Sequence, residues 1–146
     1  MTKGTYKVER IFEAKTKDVW RAITEKELMK QWYFDLQEFK AEVGFVFEFT
    51  GGEKSGPQYL HRCEITEVIV EKKLSHTWSY VGYEGVSYLT FELFPEGDET
   101  KLILTHSGIE TFPANIKDFG LHNFESGWNH IIHTALKNFL EKRINH

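Results

Sequence analysis

Tyr6, Val8 and Phe12 share the parity of one strand face, with Lys7, Glu9 and Glu13 on the other, which predicts a strand over about residues 5 to 13. Thr16 has the side chain of an N-cap, Asp18 falls in the first turn behind it, and Val19, Trp20 and Ile23 supply one apolar face, so a short helix follows. Thr24 and Glu27 have capping-box spacing and open a second short helix that carries Leu28 toward Trp32. From residue 34 to 109 the period is two. Leu36 to Val43 is weakly patterned, but Phe45, Phe47 and Phe49 alternate with Val46, Glu48 and Thr50. After a glycine-rich turn, His61, Cys63 and Ile65 alternate with polar residues, as do Leu74, His76, Trp78 and Tyr80, then Leu89, Phe91 and Leu93, then Leu102, Leu104 and His106. Short turns between neighbouring runs imply an antiparallel meander.

The period changes again near the end of the chain. Trp128, Ile131, Ile132, Ala135, Leu136, Phe139 and Leu140 fit the i, i+3, i+4, i+7 template, which predicts one amphipathic helix from Phe124 to Arg143. Burying its large apolar side chains at roughly 1.5 to 3 kcal/mol each gives around 10 kcal/mol gross, comparable to the net stability of a domain. The helix therefore has to lie on the sheet. Strand, two short helices, six further strands and a long helix make an α+β fold in which a curved, seven-stranded antiparallel sheet grips one helix. A twisted sheet cannot touch one cylinder across its full width, so a cavity is expected between them.

Composition narrows the class. The chain has 146 residues, and 12 Phe, 6 Tyr and 4 Trp give it enough large side chains to exclude disorder. One domain spanning residues 1–146 is expected from that length. Cys63 is the sole cysteine, so no internal disulfide can form. No apolar run reaches the roughly 18 to 20 residues needed to span a bilayer, and Met1 to Gly4 lacks the start of a signal peptide, so membrane insertion is not expected and a cytoplasmic location is. The net charge, 18 − 22 = −4, comes with scattered Lys and Arg and no basic stripe, which argues against nucleic acid as a partner. Aromatic residues make up 15% of the chain, a share that suits either a ring-rich core or the lining of an apolar cavity.

The element order combines with several motifs: Val19-Trp20 and Ile23-Thr24 followed by Leu28 and Trp32, Leu74-x-x-Thr77-Trp78, Leu102-x-Leu104-Thr105-His106-Ser107-Gly108, and Gly127-Trp128 in the last helix. Together they resemble the START-like (SRPBCC) superfamily, and within it the activator of heat-shock-protein-90 ATPase homologue family, in its bacterial single-domain branch. The resemblance covers nearly the whole chain and implies the helix-grip fold known from pollen allergens. It says less about activity, because the superfamily includes polyketide cyclases, lipid carriers and co-chaperone domains. Where many relatives place paired glycines before the third strand, this chain has Val43-Gly44.

By parity, His61, Cys63, His76, Trp78, Tyr80 and His106 point inward with the apolar residues of their strands. With Phe47 and Phe91 on the sheet and Trp128 and Ile132 on the helix, His61, His76, Trp78, Tyr80 and His106 form the candidate ligand-binding set. No catalytic residue, metal ligand or cofactor site is assigned. For His76 and His106 the competing reading is a hydrogen-bonded core imidazole. Arg10 interrupts the apolar face of the first strand and must pair with an acid, reach out at the rim, or hold an anionic ligand group. His130 and His133 are three apart but lack a third ligand with matching spacing. Gly51, Gly52, Lys54, Ser55 and Gly56 have the composition of a phosphate loop without its spacing. The function expected is binding of a small hydrophobic or aromatic molecule, with His76, Tyr80 and His106 orienting it. Two alternatives stay open: a cyclase- or dehydratase-like enzyme using a cavity histidine, and a module that binds a chaperone. Either a monomer or a homodimer is compatible with the sequence.

Overall fold

The computed structural model describes residues 4–33, 36–52 and 56–144. Strand β1 (Tyr6–Phe12) is followed by helices α1 (Thr16–Thr24) and α2 (Lys26–Met29), and then by β2 (Val46–Gly52), β3 (Gln58–Ile69), β4 (Lys73–Tyr80), β5 (Ser87–Glu96) and β6 (Glu99–Ser107). Two 3-10 turns, Ile109–Thr111 and Lys117–Phe119, lead into a long terminal helix built from α3 (Leu121–His130), a π-helical stretch (Ile131–Leu136) and α4 (Lys137–Ile144). The strands form one antiparallel sheet in the order β1-β6-β5-β4-β3-β2. This is the α+β helix-grip arrangement.

Two local expectations change. The sheet has six strands among the described residues rather than seven, because the segment around Leu36 to Val43 is irregular; its weak alternation offers no continuous apolar face for a ladder. Neither threonine cap forms. Lys15 and Glu25 occupy the N-cap positions of the two short helices. Thr16 instead pairs with Thr100 (Oγ1 to Oγ1, 2.9 Å), and Thr100 donates to the Ala14 carbonyl at 2.8 Å, so these hydroxyls tie the start of α1 to β6. Thr24 donates back to the Trp20 carbonyl at 2.7 Å and closes α1 rather than opening α2.

Register aligns the inward residues into rows across the sheet. Phe49 pairs with His61, and His61 with Tyr80. A second row runs Ile65, His76, Leu89, His106 and Tyr6 across β3, β4, β5, β6 and β1. Phe124, Trp128, Ile132, Leu136 and Leu140 of the terminal helix are all buried and recur strictly every fourth residue. An α-helix turns about 100° per residue, so four such steps would swing the apolar stripe by about 160° and lift one end off the sheet. The π stretch between His130 and Lys137 widens the turn and keeps the stripe facing one way.

Candidate functional site

Three buried histidines face the interior, and their hydrogen bonds fix what each ring can do. Trp128 Nε1 donates to His106 Nδ1 at 3.0 Å. An indole N–H can only donate, so Nδ1 accepts, and the proton of the neutral ring sits on Nε2. That nitrogen lies 2.7 Å from Ser87 Oγ, which in turn donates to the Trp78 carbonyl at 2.9 Å. The chain Trp128, His106, Ser87, Trp78 thus has a determined direction. It runs opposite to a serine–base pair: the imidazole gives its proton to the hydroxyl, and its acceptor nitrogen is already engaged. Burial lowers the His106 pKa to about 3.

His76 donates from Nδ1 to the Thr77 carbonyl at 2.7 Å, and burial lowers its pKa to about 4. His61 Nδ1 lies 3.2 Å from the Phe49 carbonyl and 3.0 Å from that of Tyr59, so it too carries the proton on Nδ1; burial brings its pKa to about 4 despite both bonds. All three rings are therefore neutral at pH 7.

An apolar open volume lies at one end of the sheet. A cavity of about 420 Å³ opens to solvent between β3 and β4 on one side and the start of the terminal helix on the other. Its floor is aromatic: Trp78 stands edge-on to Trp128 (centroids 5.5 Å apart), and Tyr80 stacks on Phe119 at 4.1 Å. His61 and Phe124 complete the inner wall. Asn123, Ser126, Gly127 and Ile131 form the helix side of the mouth, with Gly51 on the sheet side. At the rim, Tyr59 donates to Asp118 Oδ2 at 2.8 Å, bridging β3 to the second 3-10 turn; that bond, with partial desolvation, pushes the Tyr59 pKa up to about 12. Trp78 Nε1 donates to the Tyr80 hydroxyl at 2.9 Å, which leaves the phenol proton to be given elsewhere, and burial raises the Tyr80 pKa.

Of the residues selected from sequence, His61, Trp78, Tyr80 and Trp128 line this cavity. Phe47, His76 and Phe91 border a separate void of about 10 Å³ beside Trp32 and Tyr33, with room for a single water at most; Phe47 also lines a shallow, more polar groove of about 490 Å³ along β2 with Gln37, Glu38 and Glu48. His106 and Ile132 are fully buried and border neither space. Tyr59 shares the parity of His61, and Phe124 and Ile131 lie four before and three after Trp128 on its helix face, so the same periodicities point to them; Gly127, next to Trp128 and exposed, is not marked by that pattern. Asp118 and Phe119 lie in a segment with no period, and their position depends on the turns after β6.

The chain matches the family model described as activator of Hsp90 ATPase homolog 1-like protein over residues 13–141. The chain belongs to that family. The helix-grip topology agrees with this membership. Among solved structures, Mll3558 from Rhizobium loti is similar at 21% identity and a TM-score of 0.78, covering 94% of this chain and 96% of that one. MLL2253 from Mesorhizobium loti aligns at 26% identity with a TM-score of 0.73, over 94% and 97% of the two chains. DynU16, a protein of the dynemicin biosynthetic locus, aligns at 20% identity with a TM-score of 0.75 over 94% of this chain but 47% of its own length. A search of curated proteins returned no match.

Other candidate chemistry in this family member resolves simply. Arg10 meets a partner the sequence reading did not offer: Nη1 donates to His133 Nδ1 at 3.0 Å, so a neutral imidazole on the terminal helix receives it, while the buried Nε makes no hydrogen bond with a described residue. Burial and the guanidinium charge both lower the His133 pKa. Among the described residues there is no group of three or more His, Cys, Asp or Glu arranged to hold a metal, and no helix is long and apolar enough to cross a membrane. Cys63 is buried and free, and burial raises its thiol pKa, which makes it unreactive.

Proposed function

We propose that this protein binds a small, predominantly apolar or aromatic molecule in the cavity between the sheet and the start of the terminal helix. The observation that carries this reading is the open volume of about 420 Å³ floored by Trp78, Tyr80, Phe119 and Trp128. Ligand sites commonly occupy roughly 300 to 1,000 Å³ and combine apolar walls with a few oriented polar groups. Here those groups are the Tyr80 hydroxyl and the His61 ring. Affinity comes from removing apolar ligand area from water against rings already in place. Membership of a family with this fold and the occurrence of a similar protein in a biosynthetic locus both suit a small-molecule partner.

Gly127 provides the test. A Cβ built there meets nothing within 4 Å, and the residue lines the cavity, so Gly127→Phe fills the space without a backbone clash. Titrating the neutral dye Nile red should give saturable emission and a raised melting temperature in the wild type, through binding to the folded state alone. The variant should stay folded and lose both. Absence of saturable binding in the wild type, or unchanged binding in the variant, rejects the reading.

A further inference from the structure

Among the described lining residues the charge is one-sided, and this bears on which ligand the cavity selects. Asp118 is the only residue with a formal charge among the described lining residues. No described Lys or Arg joins it in the lining; Lys117, its neighbour in sequence, is exposed and outside the lining. Of the Asp118 oxygens, Oδ2 takes the Tyr59 hydroxyl, while Oδ1 makes no hydrogen bond with a described residue. The carboxylate stands beside a ring cluster: Tyr59 and Phe119 are 4.8 Å apart, Tyr83 and Phe119 5.0 Å, and Tyr59 and Tyr83 5.7 Å. Aromatic faces carry negative potential and attract cations within about 6 Å of their centroids, the more so where water is excluded. A cation that reaches an open ring face beside Asp118 would gain from ring and carboxylate in the same sense. An anionic head would meet Asp118 with no described counter-charge and no imidazolium, since His61 is neutral.

We propose that the ligand has an apolar or aromatic body and a cationic head, a protonated amine or quaternary ammonium, seated between Asp118 and the rings of Tyr59 and Phe119. The body lies inward against Trp78 and Trp128. This inference rests on the cavity being a ligand site and adds the sign of the ligand's charge.

Three probes with one ring system separate the two ideas: 1-naphthylmethylamine, 1-naphthylmethanol and 1-naphthoic acid, titrated calorimetrically at pH 7 and low salt. The ammonium probe should bind about tenfold tighter than the alcohol, and the carboxylate weakest of the three. Asp118→Asn keeps an acceptor for Tyr59 and removes the charge, so the ratio of ammonium to alcohol affinity should collapse to within about twofold. Tyr59→Phe retains the carboxylate and releases Oδ2, so the ammonium preference should persist or grow. Equal binding of all three probes to the wild type overturns the charge preference and leaves the cavity reading standing. An ammonium preference that survives Asp118→Asn, in protein shown folded by circular dichroism, also overturns it. Failure of every probe to bind overturns the cavity reading and this inference together.

Discussion

His106 illustrates how far a single residue's parity can be read. Alternation places its ring inside, and that holds: it is fully buried. What the ring does there depends on Trp128 and Ser87, which lie 22 and 19 residues away in sequence and meet it only in the folded chain. Replacing it by leucine would leave the buried Trp128 N–H without its acceptor. The expected cost for His106→Leu is about 2 to 4 kcal/mol, measured by urea denaturation, since an orphaned buried donor forfeits its full desolvation. A loss below about 1 kcal/mol would mean that the chain through Ser87 contributes little. The Arg10 to His133 contact carries the same lesson: the sequence places a cation on an apolar face, but its acceptor is on a helix 123 residues later.

At the scale of elements, periodicity locates the strands and the terminal helix well and their special features poorly. The helix from Leu121 to Ile144 contains the predicted Phe124 to Arg143 span, yet nothing local in Ile131–Leu136 announces a π turn. Its cause is the four-residue recurrence from Phe124 to Leu140, which an α-helix alone cannot keep against a flat surface. This makes an asymmetric prediction. Deleting the exposed Thr134 shortens one step to three residues, so the stripe stays on the sheet in ordinary α geometry, and the variant should fold with about 1 kcal/mol or less lost. Inserting one alanine after Thr134 rotates Leu136 and Leu140 away from the core and should cost at least about 3 kcal/mol at roughly 1.5 to 3 kcal/mol per side chain. Thermal melts of the two variants check this, and equal losses would reject the account. Capping failed as a guide for a related reason: Thr16 and Thr24 have the chemistry of caps, but a partner on β6 and a carbonyl one turn back competed for the two hydroxyls.

For the whole molecule, His61, His76 and His106 sum into a pH dependence. Each ring binds its proton near pH 6.5 when unfolded and near pH 4, 4 and 3 when folded. Between those limits the unfolded chain holds more protons, so stability is full above about pH 6.5 and falls as pH drops toward 4. Each ring contributes up to about 1.4 kcal/mol per pH unit. Urea midpoints from pH 7.5 to 4.5 should therefore decline steeply, and less so in His106→Leu; a flat profile would contradict the neutral-ring assignment. Alternation, helical period and turn residues determined the element order, the α+β class and which side chains go inside, because these follow from contacts a few residues apart and from the need to bury one face. The location of the vacancy was a matter for tertiary structure alone. Rings that parity treats as equivalent divide into those packed solidly, such as His76 and Phe91, and those left facing the cavity, such as Trp78, Tyr80 and Trp128. That division depends on where the sheet's twist parts from the helix and where the aperiodic turn sets Asp118 and Phe119, and both are long-range outcomes of packing the whole chain.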